Sequence, residues 1–230
     1  MSPSSNLLIP VLYILTGVFL LDIMAVLIRI LSDTYPTMQL AAFRNLFGMI
    51  PSFLLLASSA DWHRRGRSMR MRQWSLGLFR GVLVTGAQVC FYFALLELEF
   101  ATVGTLAYAG PLFVTALSVP VLGERVGPWR WSAVVIGFIG IVLIMRPGSD
   151  TFTLAALLPL GAALGYASSS VLVRRIDRNV PAPLVNMYAS SAALVCASTI
   201  MLGTVEPVAV SSWQDAGMIV AMGCSGGLGV

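Results

Sequence analysis

"GPLFVTALSVPVLGERVGPWRW" runs from Gly110 to Trp131. It is apolar enough to sit in lipid, yet Pro111 and Pro120 interrupt it and the charged turn Gly123-Glu124-Arg125 ends it. It reads as a membrane span. Pro111 has no N–H, so the carbonyl of Ala107 loses its helical partner. In lipid such a carbonyl must face a cavity or a neighbouring group. Pro111 is therefore expected either to shape a cavity or to form a structural kink, and Gly110 beside it admits close approach. Pro120 lies near the end of the span and reads as structural. Glu124 and Arg125 are expected to stop the helix at the aqueous surface, setting its depth and the geometry of a gate rather than touching solute.

The whole chain agrees with that stretch. Its 230 residues are 57% hydrophobic and 10% charged, with a mean hydropathy of +0.87. Soluble domains carry about 25% charged residues. The fold class expected is an all-α, polytopic membrane protein. All 14 basic residues are arginine. Without lysine the chain has no Walker A lysine for a nucleotide phosphate and no Schiff-base amine. Cys90, Cys196 and Cys224 lie in apolar stretches without metal-ligand spacing, and the single histidine, His63, sits in an arginine-rich loop. No metal and no cofactor are expected. Met1–Asn6 has no basic region, so the first apolar run reads as a retained span rather than a signal peptide.

A spanning helix needs about 20 mostly apolar residues. Candidates are Leu7–Ile30, Thr37–Ala57, Trp74–Leu96, Ala101–Leu122, Trp129–Met145, Phe152–Val173, Ala182–Leu202 and Asp215–Val230. With the N-terminus inside, Arg64, Arg65, Arg67, Arg70, Arg72, Arg125, Arg130, Arg174, Arg175 and Arg178 fall on one side. Only Arg29 and Arg146 fall on the other, which places the N-terminus in the cytoplasm. Topology thus explains the basic loops, and no nucleic-acid partner is expected.

"RILSDTYPTMQLAAFRN" (Arg29–Asn45) resembles "RRIDRNVPAPLVNMYAS" (Arg174–Ser190), with Pro36 over Pro181. An odd number of spans separates the copies, so the second is inverted, a recurrent plan in secondary transporters with solute bound between the repeats. The expected domains are a first repeat over 7–148 and an incomplete second over 152–230. The same shift of register predicts about eight spans present of ten, with roughly 60 further residues to complete the second repeat.

"ATVGTLAYAGPLFVTALSVPVLGERVGPWRWSAVVIGFIGIVLIMRPG" (Ala101–Gly148), with its Pro111, the "LGER" turn Leu122–Arg125 and the closing "RPG", resembles the end of an EamA-type repeat of the drug/metabolite transporter superfamily. Phe43-Arg44-Asn45 in the second span fits it too. The resemblance covers Leu7 to Gly148 and then the second repeat as far as its third helix. It implies transport of amino acids, riboflavin, S-adenosylmethionine or other metabolites, with spans 1, 3, 4 and 6 around the site.

Ionisable groups within spans are expensive and raise functional hypotheses. Asp22 and Arg44 lie at similar depth, about 12 Å from one end of their spans. They can form a buried ion pair locking the two helices, or Asp22 can serve solute or protons. Arg29 and Arg80 are expected to snorkel to water. Thr85, Gln88, Tyr92 and Glu99 form one polar stripe; Thr105, Tyr108 and Thr115 form another beside Pro111; Tyr166 with Ser169 and Ser170 forms a third. The stripes either line a cavity or make interhelical hydrogen bonds. Gly161 and Gly165 form a small-residue packing face. The candidate substrate-binding set is Asp22, Gln88, Tyr92, Tyr108, Pro111 and Tyr166, with Arg44, Glu124 and Arg125 in structural or gating roles. Three tyrosines suit a zwitterionic or flat heteroaromatic solute.

The function expected is secondary transport of small metabolites, such as amino acids or riboflavin-like or nucleoside-like solutes, across a bacterial inner membrane. The alternatives are a non-transporting scaffold or sensor, and a membrane-embedded enzyme. The enzyme is disfavoured, since no nucleophile–base pair or carboxylate cluster stands out. The partners expected are the solute and the lipid bilayer, with a homodimer an allowed assembly.

Overall fold

The computed structural model describes residues 8–64, 66, 68–145, 153–177 and 179–228, and for residues 8–10 and 61 the backbone alone. Among these every regular element is helical, as lipid requires of a backbone that must bond to itself. The helices are α1 (Leu8–Leu31), α2 (Thr37–Ser58), the short α3 (Ala60–Arg64), α4 (Trp74–Glu97), α5 (Phe100–Ala107), α6 (Gly110–Leu122), α7 (Pro128–Met145), α8 (Leu157–Val173, preceded by a 3₁₀ turn Leu154–Ala156), α9 (Ala182–Thr204) and α10 (Trp213–Leu228). Seven spans are long and apolar enough to cross a membrane, α5 and α6 together making one. The chain is a multi-pass membrane protein. The eighth expected span corresponds to α10, with 16 residues. Leu7, Arg65, Arg67, Arg146 to Phe152, Arg178, Gly229 and Val230, which entered the expectations above, lie outside the described residues.

The expected fourth span is in fact two helices. Tyr108 and Ala109 form a turn between α5 and α6, and Pro111 stands in the first turn of α6 rather than mid-helix. A proline is tolerated there because the first N–H groups of a helix have no intrahelical partner. The lower end of α6 also differs from expectation. Gly123, at φ 68° and ψ 18°, ends the helix in the left-handed conformation, and its N–H donates to the Val119 carbonyl at 2.9 Å. Glu124 and Arg125 follow an end that glycine has already made.

Packing is reciprocal between the two halves. α2 packs on α9; α1 and α2 pack on α10 as α8 and α9 pack on α4. Pro36 and Pro181, aligned in the sequence, are both N-caps, at φ −54°, ψ 139° and φ −59°, ψ 132°. Small residues let the central helices meet. A Cβ on Gly227 of α10 would lie 2.4 Å from the Gly48 carbonyl oxygen of α2, and one on Gly81 of α4 would lie 2.3 Å from the Ala189 carbonyl oxygen of α9. Gly165 of α8 meets Ala87 of α4 in the same manner, as its place on a small-residue face predicts. α7 touches mainly α6 and turns Ile136, Ile139 and Leu143 outward, where lipid tails are as apolar as they are.

The two ends of the bundle are tied differently. At the arginine-rich end Arg174 pairs with Glu124 at 3.4 Å, Arg175 donates to the Val121 carbonyl, and the Tyr188 hydroxyl donates to the Met69 carbonyl at 2.8 Å. At the opposite end Gln39 and the backbone of Val208 exchange two hydrogen bonds of 2.6 and 2.9 Å. Tyr35 there is buried and donates to Asp215 at 2.9 Å. Burial first, then the Asp215 carboxylate, hold the Tyr35 phenol above its ordinary pKa. Arg29 at this end donates to the Leu95 carbonyl near the C-terminus of α4 instead of reaching only for water.

Candidate functional site

A cavity of about 720 Å³ lies inside the bundle. It reaches both Leu95 and Arg80 of α4, fifteen residues apart, and so extends about 22 Å along that helix. α1 contributes Asp22; α2 contributes Arg44 and Asn45; α4 contributes Arg80; the α5–α6 turn contributes Tyr108; α8 contributes Tyr166, Ser169 and Ser170; α9 contributes Asn186 and Ser190. A second cavity, of about 590 Å³, opens at the end marked by Tyr35 and Val208 and holds none of the predicted site residues.

Of the six predicted binding residues, Asp22, Tyr108 and Tyr166 share the central cavity. Tyr108, at the turn between α5 and α6, is 66% exposed. Gln88, Tyr92 and Pro111 are not on the lining. Gln88 is fully buried between α4 and α2, where its amide and that of Asn45 bond reciprocally, at 2.9 and 3.3 Å. Asn45 also donates to the Ala41 carbonyl at 2.8 Å. Tyr92 lies 1% exposed in the main core, and its hydroxyl has no hydrogen-bond partner. Pro111 is exposed.

No ion pair joins Asp22 to Arg44 among the described residues, so that expected lock is absent. Arg44 is 7% exposed and donates from Nη1 to Asn45 Oδ1 at 3.3 Å, while its Nε finds no partner. Gly226 of α10 keeps space beside that atom, for a Cβ there would stand 3.0 Å from it. Tyr166 lies on the same cavity lining as Arg44. Arg80 does not snorkel. It is 6% exposed, and its Nε donates to the Ser169 carbonyl and hydroxyl, at 3.1 and 3.0 Å. A charged side chain costs up to about 2.5–3.5 kcal/mol on insertion scales, the figure for the centre of a span. Arg80 recovers part of that from α8; Arg44 recovers little from the protein.

Asn45, Asn186 and Ser190 escaped the sequence reading as lining residues. The available signal was the spacing Asn186–Ser190, four apart on one face of a helix. Among the described residues no group of three or more histidine, cysteine or acidic side chains is placed to hold a metal.

The profile of the EamA-like transporter family matches residues 8–146. A pseudopaline exporter of Pseudomonas aeruginosa is 25% identical over 207 residues, which are 89% of this chain and 70% of that protein. A riboflavin transporter of Vibrio cholerae is 38% identical over 112 residues, 48% of this chain and 38% of its own. An S-adenosylmethionine uptake transporter of Rickettsia felis is 24% identical over 226 residues, 93% of this chain and 72% of its own. One crystal structure superposes with a TM-score of 0.63 at 21% identity, covering 94% of this chain and 77% of the solved one, a likeness of fold alone.

Proposed function

We propose that this chain, which belongs to the EamA-like transporter family, carries its solute through the central cavity between α1, α2, α4 and α8. Transport of small metabolites, rather than catalysis, is the activity of the relatives. The observation that carries the site is the depth of the polar groups. Asp22, Arg44, Arg80 and Tyr166 face one cavity at membrane depth, where polar groups without water or a partner cost several kcal/mol. A polar solute offsets that cost. The break between α5 and α6, with Tyr108 at the turn, follows the habit of transporters of placing discontinuous helices at the solute.

The reciprocal packing supports an inverted pair of repeats, 7–148 and 152–230, rocking against each other about the α2–α9 contact. The arginine bias supports a cytoplasmic N-terminus in a bacterial inner membrane, and needs no nucleic-acid partner. Solutes of amino-acid, riboflavin-like or nucleoside-like size fit the volume of the cavity, in line with the relatives named for riboflavin and S-adenosylmethionine.

The test is to express Tyr108→Phe, Tyr166→Phe and Asp22→Asn and to measure membrane abundance and solute flux together. Flux is expected to fall by about tenfold in the two tyrosine variants, each losing one hydrogen bond to solute, and to change in Asp22→Asn, with abundance unchanged in all three. Wild-type flux in all three at normal abundance overturns the cavity. A reporter fused after Arg72 is expected to read cytoplasmic.

A further inference from the structure

We infer that the solute of this cavity is an organic monoanion, a single carboxylate on an apolar body, with its head at Arg44. The inference rests on the transport reading above and replaces its zwitterionic and neutral solutes with an anion of similar size. The lining formally carries Arg44, Arg80 and Arg174 against one carboxylate, Asp22. Arg174 stands at the arginine-rich mouth, half exposed, and is balanced there by Glu124. Arg44 and Arg80 against Asp22 leave one positive charge uncompensated inside the membrane. A zwitterion adds no net charge and leaves it standing; a cation doubles it; one carboxylate removes it.

The two interior arginines are not equivalent, and the difference places the head. The Nε of Arg80 is already taken by Ser169, whereas the Nε of Arg44 is buried without a partner and its Nη1 has only the shared oxygen of Asn45. An arginine side chain more than nine-tenths buried, on a cavity wall, with an unused donor is a site for a planar acceptor. A carboxylate in the cavity accepts a charge-assisted hydrogen bond from that guanidinium. Tyr166, on the same lining, supplies a further hydroxyl. The body has an apolar place: Leu21, Phe91, Leu95 and Phe100 line the same cavity.

The experiment compares solutes that share a body and differ in charge, by calorimetric titration of the full chain in phosphatidylcholine nanodiscs. The probes are indole-3-propionate, tryptophan, tryptamine and indole-3-propionamide, with the matching phenyl set. Each acid is expected to bind at least about tenfold tighter than its amino acid, amine and amide. Arg44→Gln is expected to remove that preference, and Asp22→Asn to tighten acid binding about threefold or more by deleting the opposing charge. Equal or tighter binding of the amino acids, amines or amides overturns the inference. So does undiminished acid binding by folded Arg44→Gln. If that variant does not fold, Asp22→Asn decides, and an unchanged or weaker affinity for the acids overturns it. Loss of acid binding in phosphatidylglycerol nanodiscs assigns the anion to a lipid headgroup and overturns the solute. Flux in proteoliposomes separates the two readings. Acid binding without flux defeats transport but leaves the anion site, while flux indifferent to charge does the reverse.

Discussion

Arg80, near the arginine-rich end of α4, and Arg44, near the opposite end of α2, are buried alike on one cavity wall. Around Arg80 the protein supplies acceptors, since Ser169 of α8 offers both its carbonyl and its hydroxyl. Around Arg44 it supplies neutral amides already engaged with one another and leaves one donor unused. The contrast separates a cation that ties helices together from one whose partner must come from elsewhere. Burial alone does not make that distinction; the inventory of acceptors does.

The largest expected effect breaks both regions at their scaffold. Gly227→Val on the Arg44 side and Gly81→Val on the Arg80 side each drive a side chain into a carbonyl that a Cβ alone would meet at 2.4 and 2.3 Å. Overpacking of this kind costs about 3 kcal/mol or more against backbone, so folded protein in the membrane is expected to be nearly lost in both. A milder pair sharpens the contrast. Arg44→Gln is expected to lower solute flux by about a hundredfold with folded yield kept, the cost of losing a buried charge-assisted contact to solute. Arg80→Gln is expected to show up mainly in thermal unfolding, losing about 1 kcal/mol from two interhelical bonds at about 0.6 each. A variant pair with the effects exchanged defeats the contrast.

Smaller still is Gln88→Leu, which removes the reciprocal amide pair with Asn45 and frees the acceptor that Arg44 shares. Stability is expected to fall by about 1 kcal/mol in a thermal melt, with flux reduced less than by Arg44→Gln. The smallest effect is at the opposite end of the bundle. Because the folded-state pKa of Tyr35 is raised, its bond to Asp215 contributes in full below the ordinary phenol value. The contribution is lost as pH rises through the raised value. Thermal stability of the wild type relative to Tyr35→Phe is therefore expected to stay constant to about pH 10 and decline above it.

Spans and their order were legible because lipid imposes one rule along the whole chain: apolar residues over about 20 positions, with charges at the ends. Pro36 and Pro181 could be paired from sequence because proline restricts its own backbone wherever it stands, and both proved to be N-caps. The break at Tyr108 was only half legible. Proline announces a missing donor but not whether the helix kinks or ends before it. Asp22, Tyr108 and Tyr166 were found on the cavity because polar groups at helical spacing stand out against an apolar background.

The division of those polar groups between cavity and packing came from the way the helices meet. Gln88 and Tyr92 share a stripe with the same period as a lining residue would have, yet the approach of α2 to α4 buries them behind the wall. Arg80 reads in sequence as a side chain long enough to reach water, and became an interior cation because α8 brings Ser169 to it. That this chain lies in a membrane as a bundle of helices follows from composition alone, since solvation by lipid acts on each segment separately. Which interior charge is satisfied and which is left open depends on the rotation and spacing of neighbouring helices, and those follow from the close contacts at Gly48, Gly81 and Gly227 rather than from any one segment's composition.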